Sequence, residues 1–257
     1  MNWKNIKSFL IILFALINIL LIINTINLSK AYILSDADIS NTVLLLEKNN
    51  INIDKKIIPT SAKTYDNIHL TDLSFSDNKM HKYNIVQSDD GKINIKFKSN
   101  DIINNKNTEK IIYNVLKENN FDTKDIKLRQ SQSDALKFEM TSYFDKLEIY
   151  DNHFDITINE DTIDFCGKWY TYDTEIINFS QKNNIVYATS ALAEFISIKP
   201  DTNKKITITD ISIGYKSEQD DSTNNIKTIT AVPCYRLTTD DGMVYYYNIR
   251  NGKFMTD

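Results

Sequence analysis

An uncharged run near the start of the chain constrains the fold more than any other sequence feature. Residues 8–29 contain no charged side chain, and 13 of the 15 residues in 9–23 are Leu, Ile or Phe. As an α-helix the run would be about 33 Å long, enough to cross the hydrocarbon core of a bilayer. Its apolar side chains favour insertion by roughly 4 to 8 kcal/mol, which outweighs the cost of the single Asn18. The sequence therefore predicts a transmembrane helix over 9–29 after a stub at 1–8.

A cleaved signal peptide is the alternative, because the run is N-terminal and follows Lys4 and Lys7. Cleavage favours small residues in an A-x-A-like pattern after a short apolar core. The core here continues to Ile26 without such a pattern, and residues 27–32 contain no Cys for lipoprotein processing. An uncleaved signal anchor is therefore favoured.

The charges on either side of the run predict its orientation. Lys4 and Lys7 precede it, whereas Asp36 and Asp38 follow it. Because Lys and Arg near the ends of a span favour the cytoplasmic side, we expect a single-pass cell-membrane protein with a cytoplasmic N-terminus and residues 30–257 extracytoplasmic. The external part carries a formal charge of −6, the chain's −4 less the +2 of the two lysines. This acidic balance disfavours nucleic acid as a partner.

Three external segments show the apolar spacing of a core-facing helix. One follows a capping box at Ser35 with an acidic first turn, one begins at Thr108, and one covers 190–196. Their apolar stripes are formed by Ile39, Val43 and Leu46; by Ile111, Ile112, Val115 and Leu116; and by Leu192, Phe195 and Ile196.

Most of the remaining sequence is typical of antiparallel strands with one buried face. The apolar positions of two such strands are Leu136, Phe138, Met140 and Phe144, and then Phe154, Ile156 and Ile158. Hairpin turns are indicated by Asp90-Gly91, Asp241-Gly242 and Asn251-Gly252. A helix followed by a hairpin occurs in both halves, with a loose similarity between 83–91 and 235–242. The sequence predicts an α+β fold of antiparallel sheets with few helices, in two similar lobes at 30–130 and 131–257.

The residues show no recognisable catalytic or metal-binding motif. His69, His81 and His153 are scattered, with no partner three or four residues away. The signatures of a P-loop, a serine nucleophile elbow, a zinc-protease helix and a dinucleotide-binding turn are all missing from the sequence. We predict no catalytic residue, no metal site, no cofactor and no enzymatic activity.

Two cysteines, Cys166 and Cys234, leave two alternatives open. The predicted compartment permits a disulfide, which would add about 4 kcal/mol in the chain-entropy account. Free, buried thiols are slightly favoured.

The tyrosine triplet Tyr245-Tyr246-Tyr247 admits a sugar-binding or peptide-binding role, but packing in a sheet is the favoured interpretation. In a strand, Tyr245 and Tyr247 share one face and Tyr246 takes the other. Tyrosine also fits a pleated, half-buried surface well.

A candidate contact with another membrane helix lies within the apolar run. In lipid an amide side chain seeks a hydrogen-bond partner, and a second transmembrane helix can supply one. Two alternatives stay open. Asn18 marks such a face, or it is tolerated without a role in a very apolar helix. If it marks a face, Ile11, Phe14, Leu21 and Ile22 lie on the same side by helical spacing.

Eight short segments, spread over nearly the whole chain, occur in an order typical of a known family. They are 1–7, 32–35, 138–143, 151–152, 190–196, 211–215, 233–237 and 246–248. Their order and spacing resemble the YycH/YycI family of membrane-anchored regulators in low-GC Gram-positive bacteria, and most closely its YycI branch. Two positions depart from the family pattern: Asn2 stands where Asp is expected, and Cys234 lies inside the C-terminal motif.

The resemblance implies a regulator of the WalK (YycG) sensor histidine kinase, which controls cell-wall metabolism through WalR. It implies a YycH-like partner, contact through transmembrane helices, and external lobes similar to PepSY-type helix-plus-hairpin units. Two other classes compete with this hypothesis. One is an anchored binding module for a peptide or a cell-wall fragment, and the other is a wall-active hydrolase with convergent carboxylates or a nucleophile–base pair.

Overall fold

The computed structural model describes residues 3–30, 33–63, 65–72, 85–87, 92–98, 108–118, 123–159, 161–177, 186–199, 204–218 and 228–256. Within these ranges the protein is mostly β-sheet with four α-helices. The helices are α1 (Trp3–Lys30), α2 (Asp36–Lys48), α3 (Thr108–Glu118) and α4 (Ala188–Ile198). Helices α2, α3 and α4 confirm the segments predicted from apolar spacing.

The strands form one mixed sheet. They are β1 (Ile51–Ile53), β2 (Asn67–Asp72), β3 (Val86–Gln87), β4 (Ile93–Lys98), β5 (Ile126–Gln130), β6 (Lys137–Phe144), β7 (Leu147–Ile158), β8 (Thr162–Lys168), β9 (Tyr170–Ile177), β10 (Ile206–Glu218), β11 (Thr228–Thr239), β12 (Val244–Asn248) and β13 (Phe254–Met255). The main path runs β13-β12-β11-β10-β7-β8-β4-β3, with β5 beside β6, β6 beside β7, β2 between β11 and β9, and β1 beside β10.

The expectation of purely antiparallel sheets was wrong in one respect, because β10 pairs in parallel with both β1 and β7. Strand β7 belongs to a central unit, residues 85–168, whose other described strands pair antiparallel. Strand β10 belongs to a terminal unit, residues 33–72, 170–177 and 186–256. The parallel pairing of β1 with β10 lies within the terminal unit, whereas the parallel pairing of β7 with β10 joins the two units into one sheet.

Each unit has its own apolar core beneath its helices. Helix α3 covers the central sheet with Ile111, Ile112 and Leu116, which pack with Phe154 and Phe165. The predicted strand face is confirmed at Phe138 and Met140, which are buried in the same core, whereas Leu136 precedes β6 and is 40% exposed.

Helices α2 and α4 cover the terminal sheet together. Ser35 caps α2, and its hydroxyl oxygen accepts a hydrogen bond of 3.1 Å from the Asp38 amide. The core beneath contains the predicted stripe of α2, Leu192 and Phe195 from α4, and Tyr245 and Tyr247 from β12. Tyr246 takes the opposite face. The sheet-packing interpretation of the tyrosine triplet is therefore confirmed.

The two hairpin turns predicted near the C-terminus are confirmed, with Gly242 between β11 and β12 and Gly252 between β12 and β13, both at positive φ. The turn predicted at residues 90–91 and most of the segment compared in the possible repeat lie outside the described residues. The lobe boundary at residues 130 and 131 stays a prediction, although contacts cross it: β1 pairs with β10.

Strand β7 changes its partner halfway along, and a buried amide holds the change in place. Glu148 and Ile149 pair with β10, whereas the strand pairs with β8 from His153 onward. A bulge opposite β6 spans residues 150–152, and there the Asn152 amide nitrogen donates to Ser142 Oγ at 2.7 Å. The amide also bonds both ways with the Tyr170 backbone, at 2.9 Å and 2.7 Å.

Within the described residues, no helix is long and apolar enough to cross a bilayer, and the transmembrane helix over 9–29 stays a prediction.

Replacing the buried amide by Asn152→Ala should lower the free energy of unfolding by about 3 kcal/mol, because it leaves the Ser142 hydroxyl and the Tyr170 backbone unsatisfied. Urea unfolding measures the change. Asn94→Ala, at an exposed position on β4, is the matched control and should change stability by less than about 0.5 kcal/mol. Equal effects of the two variants would mean that the amide does not hold the bulge.

Candidate functional sites

The candidate membrane contact lies on one side of helix α1. Ile11, Phe14, Leu21 and Ile22 are exposed by 69%, 62%, 57% and 58%, and Asn18 is exposed beside them. At 100° per residue the five positions fall within about a third of the helix circumference. Every side chain from 10 to 22 is exposed, so the five positions share one side of a helix that is apolar all round, and a contact through them stays a prediction.

Asn18 satisfies part of its hydrogen-bonding capacity inside its own helix. Its amide nitrogen donates to the Phe14 carbonyl oxygen one turn earlier, at 2.8 Å. An amide that bonds back in this way costs less in an apolar environment than an unpaired one. This bond favours the interpretation of Asn18 as a tolerated residue, and the rest of the face then carries any contact.

A short connection ties α1 to the terminal unit. Helix α1 ends at Lys30, and Ile33 already forms a β-bridge with Ser61. The Leu34 amide also donates to the Thr60 carbonyl at 2.7 Å. Three Cα–Cα steps of 3.8 Å separate Lys30 from Ile33, so the two lie at most about 11 Å apart. The end of α1 is therefore confined to the neighbourhood of the folded unit.

A second candidate site lies where the central and terminal units join. The bulge in β7 brings polar side chains of this strand onto the sheet face opposite α2 and α4, where they meet side chains of β10, β11 and β12. We call this set the junction cluster: Glu148, Tyr150, Asp151, Ser212, Lys216, Cys234, Arg236 and Tyr246.

One nearly buried ion pair anchors the junction cluster. Lys216 Nζ lies 2.8 Å from Asp151 Oδ1, and the two side chains are only 14% and 10% exposed. The second carboxylate oxygen of Asp151 accepts a hydrogen bond of 2.5 Å from the Ser217 amide. Lys216 also lies 5.1 Å from the centre of the Tyr246 ring. The buried charges of both residues are thus compensated within the protein, as burial requires.

Arg236 makes the second charged link of the junction cluster, which joins β11 to β7. Its Nε donates to Ser212 Oγ at 3.1 Å, and its Nη1 lies 3.6 Å from Glu148 Oε2. Its guanidinium carbon lies 4.5 Å above the centre of the Tyr150 ring. Tyr150 packs against Tyr246 at 5.3 Å, so the two cations and two rings interleave across the junction.

Burial keeps the tyrosines and the cysteine of the junction cluster uncharged. It raises the pKa of the Tyr150 phenol well above its usual range. It likewise raises the pKa of the Cys234 thiol, with a further increase from the Asp151 carboxylate that Lys216 and Arg236 oppose. A neutral thiol is a poor nucleophile. The contacts of the junction cluster are therefore structural, and they hold the central unit against the terminal unit.

The two cysteines occupy different environments. Both are free; Cys234 is buried in β11, whereas Cys166 is exposed on β8. The expectation of two buried thiols was thus wrong for Cys166, because its position on β8 alternates with the buried Phe165 and faces outward.

The histidines gather no metal-binding group in the described part of the chain, where no three His, Cys, Asp or Glu residues are placed to hold an ion. His153 Nε2 lies 3.1 Å from Asp155 Oδ1 on an exposed strand face. His69 lies in β2, and His81 lies outside the described residues. The prediction that the chain uses no metal or cofactor stays a prediction.

The junction cluster was missed by sequence reasoning. Its charged residues are separated by up to 88 positions, from Glu148 to Arg236, and each looks like an ordinary strand residue. The family resemblance included Asp151 and Arg236 but gave them no role. Only the pairing of β7 with β10 brings them together.

Comparisons with known proteins leave the family open. No protein-family model matches the chain, and no curated protein matches it. The chain is similar in structure to an uncharacterized protein from Eubacterium rectale ATCC 33656, at 12% identity and a TM-score of 0.43, over 81% of this chain and 91% of that one. It is also similar to the Bacillus megaterium YpeB C-terminal domain, at 10% identity and a TM-score of 0.33, over 88% and 100% of the two chains.

Breaking the buried ion pair by Lys216→Met should destabilise the protein by about 3 kcal/mol, because it leaves the Asp151 carboxylate buried without its cation. The double variant Asp151→Asn with Lys216→Met should recover part of that loss. Urea unfolding of both variants measures the difference. If the double variant were no more stable than Lys216→Met, an uncompensated charge would not be the cause.

The cysteine environments predict a two-step reaction with a maleimide at neutral pH. Cys166 should react at once in the folded protein, whereas Cys234 should react only after unfolding in denaturant, because burial keeps its thiol protonated and inaccessible. Mass spectrometry of the intact protein counts the labels. Two unreactive cysteines that become reactive only after reduction would show a disulfide and contradict this expectation.

Proposed function

We propose that this chain is a membrane-anchored extracytoplasmic regulator of the WalK (YycG) sensor histidine kinase, acting with a YycH-like partner in the control of cell-wall metabolism. The observation that carries the proposal is the exposed apolar face of α1, joined by a short connection to a folded unit. The resemblance of the eight segments to the YycI branch supports the choice of family. The packing of α3 on an antiparallel sheet is compatible with a PepSY-like lobe.

In the proposed mechanism the signal passes through helix α1, whose exposed apolar side chains would contact the kinase. A bound helix biases a two-state kinase only if it packs differently against the two states. A coupling free energy of about 1 to 3 kcal/mol would change the balance of kinase states by roughly 5- to 150-fold. The bridge at Ile33 and Ser61 supplies the route by which events in the external units reach the helix.

The alternative is an anchored binding module for a peptide or a cell-wall fragment. It calls for a pocket lined by several tyrosines. In the described part of the chain, Tyr245 and Tyr247 are buried in the terminal core, and Tyr150 and Tyr246 pack in the junction cluster. The packing of these tyrosines favours the regulator over the binding module.

The test is co-purification of WalK and the YycH-like protein with the full-length chain from detergent-solubilised membranes. The triple variant Ile11→Ala, Phe14→Ala and Leu21→Ala should lower recovery of the kinase at least about tenfold, since a loss of 1.4 kcal/mol suffices for that factor. The matched control places alanines on the opposite side of the helix, at Leu13, Leu16 and Leu20, which are also exposed. The control should retain the kinase.

Two results would count against the proposal. Equal recovery with both triple variants would remove the helix face as the contact. Failure of the native chain to recover either WalK or the YycH-like protein would overturn the regulatory function itself, and ligand screening of the external units would then test the binding module.

A further inference from the structure

The outer face of the central sheet, on the side away from α3, has a charge opposite to that of the rest of the chain. Along β4 and β6 the buried residues alternate with exposed ones, and the exposed ones form this face. We call it the lysine face and define it by its charged residues. They are Lys96, Lys98, Lys127, Arg129, Lys137 and Lys168, with the carboxylates of Glu139, Asp155 and Asp164.

These nine residues carry a formal charge of +3, which Asp134, with its carboxylate 3.7 Å from Lys137 Nζ, reduces to +2. Because the whole chain carries −4, the remainder carries −6. The charged groups are accessible: the side chains of Lys96, Lys137 and Asp155 are 51%, 59% and 71% exposed. A concentrated field of this kind attracts an oppositely charged surface and speeds its association.

Two carboxylates face each other near the middle of the lysine face. Glu139 on β6 and Asp155 on β7 are register partners, which places their Cβ atoms about 4.5 to 5.5 Å apart. Like charges directly opposite each other destabilise a sheet. Arg129 stands opposite Glu139 on its other side, and His153 Nε2 lies 3.1 Å from Asp155 Oδ1. Asp155 nevertheless remains mostly exposed.

A shallow groove opens beside these carboxylates. Its volume is about 310 Å³, and its lining includes Glu139, Asp155, Ser131, Lys137 and Thr157. The groove has room for a single long side chain. A cation placed there by another molecule would relieve the repulsion between the two carboxylates. The local cost to the sheet is the kind that proteins tolerate at binding surfaces.

We propose that the lysine face docks an acidic protein surface, from which one Lys or Arg side chain enters the groove beside Glu139 and Asp155. The inference rests on the proposed function, because the partner meant is the external part of the YycH-like regulator. The surrounding lysines recognise the acidic surface, and the carboxylate pair fixes its register.

The central carboxylates distinguish this partner from a phosphate-bearing polymer. A continuous polyanion crossing the face would meet the charges of Glu139 and Asp155, and would bind better without them. A protein surface with a projecting cation would bind worse without them. Removing these two charges therefore shifts the two kinds of binding in opposite directions.

The test uses the full-length chain in detergent with the purified YycH-like protein as the probe, at about 0.1 M salt. The variant Lys96→Glu, Lys98→Glu and Lys168→Glu should reduce the co-eluting partner more than about tenfold. The control variant Lys56→Glu, Lys205→Glu and Lys253→Glu makes the same change of charge at exposed sites on the terminal unit, and it should retain the partner. Thermal melting of each variant checks that the fold is kept.

A further variant, Glu139→Gln with Asp155→Asn, tests the groove. It should weaken binding of the YycH-like protein although it makes the face more positive, and it should strengthen retention of long-chain polyphosphate. Unchanged binding with both the lysine and the carboxylate variants would overturn the docking surface while leaving the proposed function intact. Polyphosphate binding to the native face without any binding of the YycH-like protein would overturn the protein partner as well.

Discussion

Strand β7 belongs to two units at once, and the close approach that permits this lies at Gly214. A Cβ at that position would lie 2.5 Å from the Glu148 carbonyl oxygen and 2.5 Å from Tyr150 Cζ. Only a residue without a side chain therefore lets β7 pair with β10 while the Tyr150 ring covers the contact. The continuous sheet, the junction cluster and the relative placement of the helices all depend on this pairing.

The charges around that contact fix its register more than they add to stability. A buried ion pair loses much of its Coulombic gain to desolvation, so the pair of Asp151 and Lys216 contributes little net free energy when intact. A slip of β7 by one residue would turn Asp151 to the other face of the strand and leave Lys216 buried alone. Asn152 also fixes the register of β7, because only one placement of the bulge satisfies the hydrogen bonds of its amide. Together these polar groups penalise the alternatives to the observed pairing.

The sequence predicts the local elements well and their assembly poorly. The stripes of Ile39, Val43 and Leu46 and the glycine turns depend on neighbouring residues, so the helices and the C-terminal hairpins could be read directly. The parallel pairing joins Glu148 to Gly214, 66 positions away, and no local pattern encodes it. The outward position of Cys166 was missed although a local pattern encodes it, since Cys166 alternates along β8 with the buried Phe165. Helical spacing alone defines which residues share a side of α1, and their role as a contact stays a prediction.

The bridge between Ile33 and Ser61 also limits how far the terminal unit can move from the end of α1. Under the proposed anchoring, the end of α1 lies at most about 11 Å from the terminal unit. The terminal unit therefore stays close to the bilayer surface, which a long linker would not require. Two proteins confined in this way to one membrane meet in a thin layer, which raises their local concentration above that of freely diffusing domains. A weak, salt-sensitive contact between external surfaces would then be largely occupied, even though the same contact between detached domains would scarcely form.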